Sequence, residues 1–399
     1  MGGRVLDFSR SASVEDVTLG GAGTVLRLKR RADWRGTPQP AFFPNHRILV
    51  INPGSTSTRL ALFEGEARIF EQEVHHPADA IAACATIQGQ LPLRRAVLER
   101  FLADNGVDLE SIDAFVGRGG LVRPVVSGTY TVNETMLADL AAARYGEHAS
   151  NLGASLAHAL AAPRGKQAFI VDPVVTDEMD EVAHLTGLDG FPRRAVWHAL
   201  SQKAVARQYA DEQLTDYEDL NLVVAHLGGG ISVGVHHQGR VTWVSNGLEE
   251  GPMSAERTGT LPNDVVVDLC LHRDLSEKEV RRRLVGQGGL VSHLGTSDLR
   301  EVERRVDAGE PKAALVWEKL CQEVASTIAS CSTRFGGERV DRVILTGGMT
   351  RSRRLVTRVT TLLRAVPVGV TVYPGELEGE ALKEGAVRVL RGQETPLEY

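Results

Sequence analysis

The chain has 399 residues, which at about 150 residues per domain predicts two or three domains. Its 45 basic and 51 acidic residues leave a net charge of −6, which does not favour a nucleic-acid-binding surface. A hydrophobic content of 42% with 24% charged residues is typical of a soluble globular protein and excludes fibrous and disordered classes. No apolar stretch is long enough to span a bilayer, so no membrane partner is expected.

Four scattered cysteines show neither a CxxC pair nor zinc-ligand spacing, and we expect them to be reduced thiols in a cytoplasmic protein. They are Cys84, Cys270, Cys321 and Cys331.

Residues 1–46 differ in composition from the rest, with clustered glycines, a basic run and three prolines. This composition indicates an N-terminal extension, and we interpret it as a flexible tail because nothing in it specifies a partner. Deleting residues 1–44 is predicted to leave the kinetics unchanged.

The first buried strand is predicted at 47–51, followed by the turn Asn52-Pro53-Gly54, a second strand at 59–63 and a third at 67–74. The same plan returns from Leu222 to Val244 around Gly228 and Gly239. Gly54 and Gly228 are 174 residues apart, as are Gly65 and Gly239. Three strands and two turns at one offset predict an internal duplication.

Helical patterns follow each copy, the first of them predicted at 134–145, and further buried strands are predicted at 168–172 and 340–345. Alternating strands and helices imply two α/β domains of similar plan that face each other. We place the first at 47–175 and the second at 176–379. A C-terminal helix at 380–395 is expected to return to the first domain.

The two repeated glycine turns lie at strand ends, where α/β sheets bind ligands. Turns rich in Gly, Ser and Thr can direct backbone N–H groups at phosphate oxygens, so the pair predicts a polyphosphate gripped from both sides. Each turn alone is also typical of an ordinary tight hairpin. No GxxxxGK[ST] or GxGxxG motif follows a strand. A third glycine loop, 346–350, suits a platform for a purine or is a simple strand-to-helix connection.

Single residues add candidates for the chemistry. Arg118 and Arg257 have small neighbours and can clamp a carboxylate or phosphate with the planar guanidinium. Asp172 ends an apolar strand, where a carboxylate commonly orients a nucleophile or a metal-bound water, or caps the turn before Pro173. His198 lies among apolar residues on a predicted helix, which is also typical of a core histidine.

Several dispersed motifs from residue 47 onward resemble butyrate kinases, a branch of the acetate and propionate kinase group. The motifs are ILVINPGSTSTRLALFEGE, VGRGGLVRPVVSGTY, VAHLGGGISVGVHHQGRV, HLGTSDLREVE and ILTGGM. The resemblance implies duplicated ribonuclease-H-like domains of the actin-like ATPase type with an interdomain cleft. It also implies ATP/ADP and Mg²⁺ as cofactors, and reversible phosphorylation of a short-chain carboxylic acid to an acyl phosphate by a homodimer or larger homo-oligomer.

The resemblance assigns the nucleotide to the glycine turns and to two later segments. The matching positions are Asn52, Ser55 and Ser57 in the first turn, His226, Gly228 and Gly230 in the second, Asp298 and Arg300 beside the nucleoside, and Gly347 and Gly348 beside the adenine.

The resemblance further assigns the reacting groups. The matching positions are Arg118, Asp172, His198 and Arg257 around the carboxylate and the transferring phosphoryl group, His148 and Asn151 beside the acyl chain, and Asp172 and Glu380 as metal-associated carboxylates.

A carboxylate nucleophile is already ionised near pH 7, so the reaction needs alignment and positive charge but no general base. Two arginines and a protonatable imidazole, that of His198, are expected to supply that charge. Two other readings stay open. In a kinase acting on a hydroxyl, Asp172 would be a general base, and a non-enzymatic ATPase clamp would expect a large additional partner-binding domain.

The acid preference is predicted from Gly120, which stands where acetate-preferring relatives carry a bulky aliphatic residue. A missing side chain there is expected to leave room for a C4–C5 acid, and Gly120→Val is expected to restore a preference for acetate or propionate.

Overall fold

The structure is a computed structural model that describes residues 17–18, 25–26, 45–375 and 377–399. The chain divides into two units, Met1–Pro44 and Asn45–Tyr399. In the first unit, strands β1 (Val17–Thr18) and β2 (Val25–Leu26) pair antiparallel. Most of the predicted extension therefore lies outside the described residues, and its flexibility stays a prediction.

The second unit contains two sheets. Their strands are β3 (Arg47–Pro53), β4 (Ser57–Glu64), β5 (Ala67–His75), β6 (Ala114–Arg118), β7 (Thr129–Thr131), β8 (Gln167–Val171), β9 (Asn221–Leu227), β10 (Ile231–His237), β11 (Arg240–Val244), β12 (Arg342–Gly347), β13 (Val370–Pro374) and β14 (Leu397–Glu398). The larger sheet has the order β14-β7-β8-β6-β3-β4-β5, and the smaller sheet has the order β11-β10-β9-β12-β13.

The predicted duplication is confirmed. In both sheets three consecutive strands, β3 to β5 and β9 to β11, form an antiparallel meander. The first strand of each meander then pairs in parallel with a later strand, β6 in one sheet and β12 in the other. Apolar runs form these central strands because both faces of the sheet are covered, and every residue of β9 is buried.

The described helices cover the faces of the sheets. They are α1 (Ala78–Ala82), α2 (Leu91–Asp104), α3 (Glu134–Ala141), α4 (Asn151–Ala161), α5 (Glu181–His184), α6 (Ala199–Glu212), α7 (Asn263–Leu271), α8 (Glu277–Leu284), α9 (Gly289–Leu294), α10 (Leu299–Asp307), α11 (Pro311–Cys331), α12 (Arg353–Leu362) and α13 (Glu378–Leu390).

Two sequence-based helix boundaries need correction. The segment after Glu134 is helical only to Ala141, because the backbone turns left-handed at Ala143, with φ of 48°. His198 does not lie inside a helix but caps the N-terminus of α6, with φ of −83° and ψ of 60°.

Helix α6 carries residues toward both sheets, and α13 packs against the core of the larger sheet. On α6, Leu200 belongs to the core beside β3, β6 and β8, whereas Val205 and Ala206 pack with residues of β9 and β12. On α13, Leu382 and Ala386 lie in the first of these cores. Side chains at the start of each helix are therefore held near strand ends that are distant in the sequence.

Within the described residues, no helix combines the length and apolar character needed to cross a membrane.

Candidate active site

The first part of the site is an ion pair between Arg118, at the end of β6, and Glu378, at the start of α13. Asn52, near the end of β3, donates its Nδ2 to Glu378 Oε2 at 2.8 Å. Burial raises the pKa of Glu378. The Arg118 charge and the Asn52 hydrogen bond together lower it by more than burial raises it, so the pKa lies below the usual value. Glu378 is therefore an ionised carboxylate in the site.

The second part of the site is a pair of stacked histidines, His198 and His226. The rings of His198 and His226 have centroids 4.0 Å apart and an interplanar angle of 12°. His198 Nδ1 lies 2.7 Å from Ser232 Oγ on β10, which orients the ring. His226 is 3% exposed, and its Nδ1 has no hydrogen-bond partner within the described part of the chain.

Both imidazoles are neutral near pH 7. Burial lowers the pKa of His198 well below its usual value, and the charges of Arg257 and Arg118 lower it further. Burial lowers the pKa of His226 to about 4. The positive charge of the site therefore lies on the arginines, and the imidazole of His198 can donate one N–H.

Arg257 belongs to the same cluster because it crosses the second glycine turn. A Cβ on Gly230 would overlap the Arg257 guanidinium, whose Nη1 donates to the Gly247 carbonyl at 2.8 Å. Only a glycine lets the guanidinium lie against this turn. Gly230 thus positions an arginine as well as shaping the loop.

His148 joins the cluster at an exposed rim. Its Nδ1 accepts a hydrogen bond from the Ser150 N–H at 3.2 Å. Loss of water around the ring lowers the pKa of His148, and the charges of Arg118 and Arg257 lower it further. The charges of both arginines thus lower the pKa of His148, His198 and His226 alike.

Asp172 lies at the end of β8 and is 2% exposed. Its Oδ1 accepts from Ser127 Oγ at 2.6 Å and from the Gly128 N–H at 2.9 Å, and its Oδ2 lies 3.4 Å from Arg207 Nη1. Its backbone φ of 39° is left-handed, which is strained for a residue followed by proline. Burial raises its pKa, but the charges of Arg207 and Lys203 and the Ser127 bond lower it more, so Asp172 is ionised.

The structure contradicts the predicted pocket at Gly120. An added Cβ would lie 2.5 Å from Asn151 Cα and 2.7 Å from Asn151 N, because Gly120 packs directly against the start of α4. Asn151 is 1% exposed and uses its side chain on backbone: Oδ1 accepts from the Leu121 N–H at 2.8 Å, and Nδ2 donates to the Gly146 carbonyl at 2.9 Å. Gly120 permits close packing and opens no acyl space.

The first glycine turn brings only part of its predicted set to the cluster. Asn52 contacts Glu378, as described above. The Ser57 hydroxyl instead donates to Glu73 on β5 at 2.5 Å, and the Ser55 carbonyl accepts from Arg94 Nη2 at 2.7 Å.

The predicted nucleoside residues come together in one cavity of about 650 Å³. Asp298 caps α10 by accepting from the Arg300 N–H at 2.9 Å, and it also pairs with the Arg300 side chain. Gly347 is not among the lining residues, and its N–H donates to the Gly375 carbonyl at 2.9 Å. The lining includes Gly228, Asp298, Arg300, Gly348, Met349 and Ser352.

The described carboxylates fit a metal that is held mainly by a substrate. No group of three or more His, Cys, Asp or Glu residues in the described part of the chain could hold an ion by itself. Mg²⁺ typically takes one or two protein carboxylates and completes its shell with phosphates and water. Asp172 and Glu378 are ionised oxygen donors of that kind.

Glu380 lines one pocket with Asn52 and Glu378, but its carboxylate pairs with Arg68 Nη1 at 3.2 Å. Because Glu378 contacts Arg118 and Asn52 directly, we prefer Glu378 for the metal role that the resemblance assigned to Glu380. Sequence reasoning missed Glu378, Ser232 and Arg207; a glutamate two residues from Glu380 was the one available signal.

The fold has two sheets, each with a copy of the same meander, and it carries a cluster of arginines and histidines. It is similar to the fold of acetate and propionate kinases. The structure resembles acetate kinase from Porphyromonas gingivalis with a TM-score of 0.69 at 19% identity, covering 86% of this chain and 99% of that chain. A propionate kinase from Francisella tularensis subsp. tularensis SCHU S4 gives 0.69 at 20% identity, over 85% and 98%. Acetate kinase from Entamoeba histolytica gives 0.69 at 16% identity, over 86% and 99%.

Residues 189–378 match the family model of the acetate kinases, described as the Acetokinase family. The matched segment includes His198, His226, Arg257 and Glu378.

Proposed function

We propose that the protein catalyses reversible transfer of the γ-phosphoryl group of ATP to a short-chain carboxylic acid, which produces an acyl phosphate and ADP. One observation carries the proposal: two arginines, one paired with Glu378 and one lying against the second glycine turn, occur with the stacked rings of His198 and His226. A cavity lined by the predicted nucleoside residues includes Gly228 of the same turn. The family match of residues 189–378 supports the same chemistry.

The proposed step is an in-line displacement at phosphorus. A carboxylate oxygen of the acid forms a bond to the γ-phosphorus while the bond from that phosphorus to the β,γ-bridging oxygen breaks and ADP leaves. No proton has to move, because the acid is ionised near pH 7. Arg118 and Arg257 neutralise the charge on the acid and on the transferring group.

Neutral imidazoles suit this step. His226 Nδ1 is buried and has no hydrogen-bond partner within the described residues. His198 is oriented by Ser232 and stacks on His226, so the two rings form one rigid wall. Mg²⁺, when bound with the nucleotide, neutralises phosphate charge; Asp172 and Glu378 are the carboxylates that would hold it.

The environment of Asp172 disfavours a hydroxyl-phosphorylating kinase. A general base must accept a proton, but the pKa of Asp172 lies below its usual value, so its carboxylate is a weak base. A carboxylate acceptor needs no base, and Asp172 then acts through its charge and position.

Butyrate or a branched C4–C5 acid remains the proposed substrate on the strength of the sequence motifs alone, since Gly120 no longer supports it. A coupled assay over C2 to C6 acids, with hydroxylamine trapping of the acyl phosphate, tests both the carboxylate kinase activity and the preference for a C4–C5 acid. Trapped hydroxamate supports a carboxylate kinase, and ATP turnover without hydroxamate contradicts it. If acetate is the best substrate, the butyrate preference is wrong.

We also propose a cytoplasmic homo-oligomer. The four cysteines are free in the structure, which fits a reducing compartment. Light scattering of the purified protein tests the oligomer, and a monomer mass would contradict it.

A further inference from the structure

Arg94 on α2 is a charged side chain that the proposed chemistry does not use. It is 0% exposed and among the largest fully buried side chains of the described chain. The guanidinium donates to the Ser55 carbonyl at 2.7 Å, the Ser57 carbonyl at 2.9 Å and Gln90 Oε1 at 2.8 Å. All of these acceptors are neutral.

No ion pair involves Arg94 in the described part of the chain. A charge removed from water is normally paired with an opposite charge, because its desolvation is otherwise costly. Burial accordingly lowers the pKa of Arg94. Its neighbour His76, which lies 2.8 Å from Thr58 Oγ1, has a pKa lowered to about 4, chiefly by burial and then by the Arg94 charge. Arg94 is therefore the cation of this buried cluster.

We call residues 53–57, which overlap the first glycine turn, the first phosphate loop. The hydrogen bonds of Arg94 define its orientation. The carbonyls of Ser55 and Ser57 point inward to Arg94, the Thr56 carbonyl accepts from the His76 N–H at 3.0 Å, and the Gly54 N–H donates to Ser57. In a planar trans peptide the N–H points opposite to the carbonyl. The inward carbonyl of Ser55 therefore turns the next amide, the Thr56 N–H, to the side of the loop away from Arg94.

We propose that Arg94 is a positioning residue for nucleotide phosphates, which it never contacts. It fixes the first phosphate loop with the Thr56 amide directed away from Arg94, and its unpaired charge attracts the polyphosphate from behind the loop. The bound phosphates supply the missing counter-charge. This inference rests on the proposed function, because it requires that the loop binds a nucleotide.

Calorimetric titration of the full chain with Mg-ATP and with AMP tests the inference, because AMP lacks the β and γ phosphates. Arg94→Met removes the charge at similar length. Arg95→Met is the matched control, since Arg95 is the next residue of α2 and pairs with Glu99 at the surface at 3.0 Å. Circular dichroism establishes that each variant is folded.

We expect Arg94→Met to weaken ATP binding at least ten-fold, to change AMP binding less than two-fold, and to reduce the loss of ATP affinity between about 50 mM and about 500 mM NaCl. Arg95→Met should match the wild type. Equal weakening of ATP and AMP, or an ATP affinity within two-fold of wild type, would overturn the inference. If the wild type itself does not bind ATP, the proposed function fails instead.

Arg94→Lys covers the case in which Arg94→Met does not fold. Lysine keeps a charge but cannot span both carbonyls, so ATP binding should be weakened more than two-fold with AMP unchanged. Loss of both affinities, or of neither, contradicts the role of Arg94.

Discussion

Arg118 and Arg257 illustrate how single side chains define the candidate site. Arg118 is held by Glu378 from α13, and Arg257 is held by the Gly247 carbonyl after passing over Gly230. Each guanidinium is partly buried and kept in one orientation, which is the preorganisation that charge stabilisation in a transition state requires.

Arg118→Ala and Arg257→Ala should each lower kcat about 100-fold, because removing one charge-stabilising group costs on the order of 3 kcal/mol in the transition state. Asp172→Asn should lower kcat similarly through loss of its charge. Steady-state kinetics with the best acid measures the effect, and circular dichroism monitors the fold. A folded variant with near-wild-type kcat would show that its residue is wrongly assigned.

His226 makes stability depend on pH. Its folded pKa is about 4, against a usual value of 6.5, so the unfolded chain takes up the proton first as the pH falls. The contribution of neutral His226 to the free energy of unfolding is fully present above about pH 6.5 and is lost as the pH falls toward 4. At pH 5 about 2 kcal/mol of this free energy has been lost.

Urea unfolding at pH 7 and pH 5 measures this loss. Between pH 7 and pH 5 the free energy of unfolding should decrease in the wild type and in His226→Gln. The decrease in His226→Gln should be smaller than that of the wild type by about 2 kcal/mol. An identical decrease in both proteins would mean that His226 is not buried as a neutral ring.

At the scale of elements, β6 and the residues after it pack directly on α4. Gly120 meets the backbone of Asn151, and Asn151 in turn bonds the backbone at Leu121 and Gly146. The segment that carries Arg118 is therefore fixed by strand-to-helix contact, and its glycine is a packing requirement.

Gly120→Val should lower the free energy of unfolding by at least about 2 kcal/mol, because a side chain there overpacks a closed contact. Gly187→Val, at a glycine with open space around it, is the control. Thermal unfolding and kcat/KM for C2 to C6 acids are the measurements. A stable Gly120→Val protein that prefers acetate would restore the original pocket interpretation.

At the scale of the whole molecule, Asn45–Tyr399 forms one unit separate from Met1–Pro44. β3 begins at Arg47, and the C-terminal β14 pairs with β7, so both ends of this unit are tied into the larger sheet.

A chain beginning at Asn45 should therefore keep kcat and KM within about two-fold of the full chain and its unfolding temperature within about 2 °C. The reason is that no strand of the larger sheet is shortened. Activity assays and thermal unfolding compare the two chains. A marked loss of activity or solubility would show that residues 1–44 contribute to the structure.

The sequence by itself determined the elements whose signals are local. Alternation and apolar runs predicted the strands of both meanders, and a constant offset of 174 residues predicted their duplication, because periodicity and glycine turns are written in neighbouring residues. The gathering of Gly228, Asp298, Arg300 and Gly348 around one cavity agrees with positions taken from motif resemblance.

Only the tertiary structure decided which distant side chains meet. Glu378 pairs with Arg118 across 260 positions, and no local pattern distinguishes it from Glu380. The neutral state of His198, the fully occupied space at Gly120 and the buried charge of Arg94 likewise depend on burial and on neighbours from other elements. These properties arise from desolvation and close packing, which exist only after the chain has folded.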